Sequence, residues 1–169
     1  MARRHDTLIP LSHDHQQALA LAFRLHNPAP PGPVTPTTPA STPASRRAET
    51  LAFFRDHLQR HFAIEEEVLF PALRSAHAAG TQQHALIDAL CAEHRRMSEI
   101  RDTIAHASIE DDLCCALTEF ADVLEQHVRR EERELFGKFP DSLPPAAVAA
   151  LHREIHERRP PDVPGACKV

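Results

Sequence analysis

Apolar positions recur at alternating spacings of three and four over most of the chain, the rhythm of helices that bury one stripe. A first helix at about 10–26 presents Leu8, Leu11, His15, Ala18, Ala22 and Leu25 on one face. A second, at about 46–79, presents Leu51, Phe54, Leu58, His61, Glu65, Val68 and Ala72. A third, at about 81–106, presents Ile87, Leu90, His94, Met97 and Ile104, and a fourth, at about 109–138, Leu113, Leu117, Phe120, Leu124, His127 and Glu131. A short tail helix follows at about 144–157, and Pro160–Val169 reads as a frayed end. Gly80-Thr81 is expected to end one helix and cap the next, Ser108 to cap the fourth, and Pro71 to kink the second. Between the first two helices, residues 27–45 hold seven prolines and predict an extended linker rather than a helix. Four long helices with two short turns and one linker predict an all-α, up-down-up-down bundle over residues 1–140, with 141–169 as an appended tail.

Each stripe is broken by a histidine, and two of them also by a glutamate four residues later. Positions i and i+4 share a helical face, so His61/Glu65 and His127/Glu131 each aim two ligand types one way. An ionised carboxylate in an apolar interior is heavily penalised, and two aimed at one core repel. Divalent cations remove both objections. His15, His61, Glu65, His94, His127 and Glu131 are therefore the candidate metal ligands. The chain also repeats itself: 58–70 reads LQRHFAIEEEVLF and 124–136 reads LEQHVRREERELF, with Phe54 and Phe120 matching upstream. A fainter echo pairs Asp14-His15-Gln16-Gln17 with Glu93-His94-Arg95-Arg96. Two helix pairs, each supplying one His and one His-x-x-x-Glu, predict a pseudo-symmetric site for two ions. With both carboxylates bridging, six ligands fill about eight of about twelve octahedral positions, and an oxygen bridge about two more. The remaining open positions suit two non-haem irons, with manganese as the alternative; zinc would favour a smaller tetrahedral set.

Composition narrows the function. A net charge of -5 with no basic patch argues against a nucleic-acid partner, and no apolar run is long enough for a membrane span. The N-terminus carries no export pattern, and Cys91, Cys114, Cys115 and Cys167 match no zinc or redox spacing, so a cytoplasmic protein with reduced thiols is expected. Thirteen histidines stand beside no Trp or Tyr. Of those off the stripes, His57 is assigned a boundary or surface role and His84 is left open. His5, His13, His26, His77, His106, His152 and His156 are assigned to the surface. Glu66 and Glu132 are expected to face solvent or Arg, or to stand in for their neighbours. Leu58, Phe62, Leu90 and Leu124 are candidates for the wall of a ligand pocket.

The doubled H-x-x-x-E-E-x-x-L-F element, with single stripe histidines His15 and His94, resembles the hemerythrin-like family, whose members carry a cation-binding HHE domain. The resemblance covers about residues 8–138. It implies a four-helix bundle with a non-haem di-iron centre that binds oxygen or is oxidised by it. Oxygen carriers of that family present two histidines four residues apart on the third helix; here Met97 and Ser98 follow His94 instead. Their last ligand is an Asp five residues after its His, whereas Glu131 comes at four and Glu132 at five. This pattern fits better the divergent members that resemble sensors, iron handlers or oxidative enzymes. Three readings follow: a di-iron protein that binds or senses oxygen, peroxide or nitric oxide; a di-iron oxidoreductase acting on peroxide or nitric oxide, or a protein that handles iron; and a metal-free helical interaction module.

Overall fold

The computed structural model describes residues 5–28, 41–139 and 143–159, which are helical with no strand. A 3₁₀ turn, Asp6–Leu8, leads into α1, Ile9–His26. Helix α2 runs over 43–75, α3 over Gln82–His106 and α4 from Glu110–Arg130 on through Lys138, and α5 is Pro145–Arg158. Much of the Pro-rich linker lies outside the described residues, as does Pro160–Val169. Its end differs from expectation: Pro43 opens α2 at the first position, where a missing N–H costs nothing. Thr42 and Ser45 close a reciprocal capping box ahead of it, at 3.1 and 3.0 Å.

The chain reverses at each connection. Gly80 takes φ 78°, the left-handed conformation that ends a helix, before Thr81 occupies the next N-cap without a side-chain cap bond. Ser108 does not cap α4. Ile109 holds that position, and Glu110, Asp111 and Asp112 supply negative charge to the exposed first-turn amides instead. α1 and α3 both pack along α4, and α2 packs on α3 and α4.

Two separate apolar cores result. One joins the C-terminal parts of α1 and α3 to the N-terminal parts of α2 and α4, centred on Leu21, Phe54, Ile104, Leu117 and Phe120. The other joins Leu8 and Leu11 to Leu69, Phe70, Leu73, Ile87, Leu90 and Leu135, and α5 adds Val148, Leu151 and Ile155. Opposite helix ends meeting in each core is the signature of up-down-up-down packing. Among the described residues no helix is long and apolar enough to cross a membrane.

Neither α2 nor α4 is a plain α-helix. Both widen to a π turn at the same place in the repeat, Glu65–Leu69 and Glu131–Leu135, where the Phe70 and Phe136 amides reach back five residues to Glu65 and Glu131. A third wide turn spans Phe54–Leu58. The extra residue slips the buried face by one, so Leu69 and Leu73 lie deeper than Ala72, which is only partly buried. Pro71 falls just after the wide turn, at the start of a fresh α-helical segment, rather than kinking a regular one.

Candidate metal centre

Between the two apolar cores lies one polar layer. His15, His61, Glu65, His94, His127 and Glu131 meet there, each no more than 2 % exposed. Ligand atoms of His15, His61, Glu65 and Glu131 lie within 4.8 Å of one another, as do those of Glu65, His94 and His127. The sequence-predicted residues thus converge as two overlapping groups that share Glu65. His61 Nε2 is 2.9 Å from Glu65 Oε1, His94 Nε2 3.3 Å from Glu65 Oε2, and His15 Nε2 3.1 Å from Glu131 Oε2.

What sequence reasoning missed is the ring outside this layer. The Nδ1 of each imidazole meets a carboxylate from an adjoining helix, in one closed circuit. Asp14 of α1 faces His61 at 3.3 Å, Glu66 of α2 faces His94 at 2.7 Å, Glu93 of α3 faces His127 at 2.9 Å, and Glu132 of α4 faces His15 at 2.7 Å. Glu66 and Glu132 therefore hold the histidines of neighbouring helices rather than replacing Glu65 or Glu131. Asp14 also pairs with the buried Arg159, and Glu93 with Arg130. The signal was present in the echo of Asp14-His15 in Glu93-His94 and in the doubled Glu-Glu. An acidic residue next to a core position still reads as surface until the neighbouring helix is placed.

This ring decides the tautomer. Donation from Nδ1–H to a carboxylate leaves Nε2 with a lone pair, pointing inward. The Nε2 atoms of His15 and His61 stand 3.1 Å apart, and those of His94 and His127 3.3 Å. Two lone pairs meet at that distance only with a proton or a cation between them. The oxygens of Glu65 and Glu131 are buried and have no hydrogen bond in line. Four inward lone pairs and two unsatisfied carboxylates fit a divalent cation pair, and nitrogen-plus-carboxylate donors suit iron or manganese.

The protonation preferences describe the strain that such ions would relieve. Burial works against charged imidazoles, yet the Glu65 charge and Asp14 push His61 up to about 10. His15 and His94 are raised for similar reasons, by Glu131 with Glu132 and by Glu65 with Glu66, against the pull of burial. Burial would raise the Glu65 carboxyl, but His61 and His94 hold it well below the usual range. Glu131 is raised, by burial first and then by the Glu65 charge.

Aromatic rings brace the layer, two of them as repeat partners. Phe136 stacks on His15 with centroids 5.1 Å apart, and its repeat partner Phe70 lies against His94 at 6.0 Å. Phe62 stacks on His94 at 3.9 Å and meets His61 and His127 edge-on. Of the expected pocket wall, Leu58, Phe62 and Leu124 belong to one core and Leu90 to the other, and Phe62 stacks on an imidazole. A cleft of about 670 Å³ between α2 and α3 reaches His94 past Phe62, Glu66 and Ser98. One of about 440 Å³ beside α1 reaches His15 past Ser12 and Glu132. His57 stacks on Phe53, away from the layer, and His84 bonds the Arg74 carbonyl at the end of α2.

The fold and the layer define a four-helix-bundle metal-binding protein. The hemerythrin HHE cation-binding domain model matches residues 6–139, and the chain belongs to that family. Comparison with curated proteins and with solved structures gave no significant match.

Proposed function

We propose that this chain is a cytoplasmic di-iron protein that binds or senses a small oxidant, with oxygen, peroxide and nitric oxide as the candidates. In this reading His15, His61, Glu65 and Glu131 would hold one iron, and Glu65, His94 and His127 the second; manganese is the alternative metal. One observation carries it. Every imidazole of the layer is turned inward by an outer carboxylate, onto two glutamates with no hydrogen bond of their own.

When bound, a pair of ferrous ions would supply two electrons to a small oxidant. The protein's part is to orient and exclude. The outer carboxylates fix ring orientation, the two apolar cores keep bulk water from the layer, and Phe62 and Phe70 cover the His94 face. Ser98 occupies the position where the oxygen carriers place a further histidine, and it lines the cleft that reaches His94. A ligand of a few atoms therefore has a path to the half of the site with the smaller ligand set. Glu66, Glu67, Arg95, Glu99 and Arg101 also line that cleft, and an oxidoreductase acting on peroxide or nitric oxide is the alternative reading.

The test is metal content by plasma mass spectrometry, with an absorption spectrum, on protein loaded anaerobically with ferrous iron. About two irons per chain, and a spectrum that changes on exposure to oxygen, peroxide or nitric oxide, is the expected result. A chain that takes up no metal overturns the reading. Sustained consumption of peroxide or nitric oxide would replace the sensor by the enzyme.

A further inference from the structure

The pseudo-symmetry of the outer ring breaks at Asp14. Glu93 and Asp14 are equivalent in the repeat, each preceding a stripe histidine and each facing the imidazole of the next helix. Glu93 is paired with Arg130, whose side chain is 37 % exposed. Asp14 is paired with Arg159, which is 4 % exposed and follows the last turn of α5. The pairing is bidentate: Nε lies 2.9 Å from Oδ2 and 3.1 Å from Oδ1, and Nη2 lies 2.5 Å from Oδ1. Asp14 Oδ2 is also the atom that faces His61 Nδ1, at 3.3 Å against 2.7–2.9 Å for the other three pairs. α5 follows the second repeat and has no counterpart after the first.

We propose that Arg159 is a positioning residue for the metal centre. By clamping the Asp14 carboxylate it sets the orientation of His61. The position held by His15 and His61 is thereby made unlike the one held by His94 and His127, and docking of α5 is tied to occupancy of the first. This rests on the reading that the six layer residues hold two ions. Two parallel N–H···O bonds fix the plane of a carboxylate, which a single bond does not. They also draw electron density from Oδ2, and Asp14 stands farther from His61 than Glu66 and Glu132 stand from their imidazoles. Without the guanidinium, Asp14 is a buried charge whose remaining partner is the imidazole, and the His61 ring loses its fixed setting. Loss of such an outer partner commonly lowers metal affinity about 10–100-fold. By linkage, an ion on the His61 side then favours the docked tail by the same factor.

The experiment is a titration of the metal-free full chain with Co(II), followed by its d–d absorption, with circular dichroism to match helix content. In Arg159→Leu, one of the two Co(II) ions should bind about 10–100-fold more weakly with shifted bands, while the other keeps its wild-type affinity and spectrum. Arg130→Leu should change affinity by less than about threefold, because water can replace an exposed guanidinium. Leu151→Ala, which loosens α5 and with it the seat of Arg159, should weaken the same ion in the same direction and leave the other unchanged. If Arg159→Leu does not fold, Asp14→Asn with Arg159→Gln removes both buried charges and should show the same selective loss. Wild-type affinities and bands in the folded Arg159 variant, or an equal loss at both ions, would overturn the proposal. A wild-type chain that binds neither Co(II) nor Fe(II) would sink the site reading and this proposal together.

Discussion

Glu65 and Glu131 are repeat partners, equally buried, yet they weigh on the fold with opposite sign. Glu65 titrates below the usual range because His61 and His94 favour its charged form, so its charge stabilises the fold above the unfolded carboxyl range and that support fades as pH falls. Glu131 is raised by burial and by Glu65, so folding favours its protonated form and its charge costs stability near neutral pH. In metal-free protein, Glu65→Gln should therefore lose about 1–3 kcal/mol, whereas Glu131→Gln should be neutral or gain about 1 kcal/mol. Both should lose bound iron. Urea unfolding with chelator present, together with metal analysis, checks this; equal destabilisation by the two variants would contradict the asymmetry. At the outer ring, Glu66→Gln keeps an acceptor but removes the charge facing His94, and iron affinity should fall about tenfold. Retention of two tightly held irons in that variant would show that the ring does not tune the centre.

At the scale of the element, the wide turns of α2 and α4 are the feature that a uniform 3.6-residue rhythm cannot foresee. Each begins on a layer glutamate and is followed by Phe and then a residue poorly suited to a helix interior, Pro71 in one repeat and Gly137 in the other. The α4 copy forms without proline, so Pro71 is accommodated by the wide turn rather than causing it. Pro71→Ala should change stability by less than about 1 kcal/mol, against the roughly 3 kcal/mol of a proline forced into a regular helix. Urea midpoints decide between these. A gain near the larger figure would mean that Pro71 strains α2. The same turns explain why the predicted stripe holds at Val68 but is one residue out at Ala72, where Leu73 is the buried residue. A backbone hydrogen bond five residues long leaves no mark in hydropathy.

For the whole molecule, a polar layer lies between two apolar cores that each draw on all four helices, one of them reinforced by α5. Such an arrangement keeps its helices without metal while the layer remains under electrostatic strain. Chelator should leave the far-ultraviolet dichroism at 20 °C nearly unchanged. Ferrous iron at about 100 times its dissociation constant should then add about 2.7 kcal/mol, or about 5–10 °C in Tm. Loss of helix on chelation would instead make the ions part of the folding core, as in small zinc domains.

The six layer residues, the four helices and the two-pair organisation were all legible in the chain. They follow from local periodicity, from the cost of buried carboxylates, and from a duplicated motif. The reversal of the chain was legible from its short turns. The outer ring and Arg159 were not. Asp14, Glu66, Glu93 and Glu132 each sit about 100° around a helix from a core position, where sequence cannot tell a solvated acid from one aimed at a neighbouring imidazole. Arg159 meets Asp14 across 145 residues, and no rule of spacing joins them. Which atoms of the layer face one another, and which histidine nitrogen carries the proton, depend on how the helices lie side by side. Local periodicity dictates which stripe of each helix is buried; the burial of Asp14 and Arg159, and what each buried group faces, follow from how the helices pack against one another.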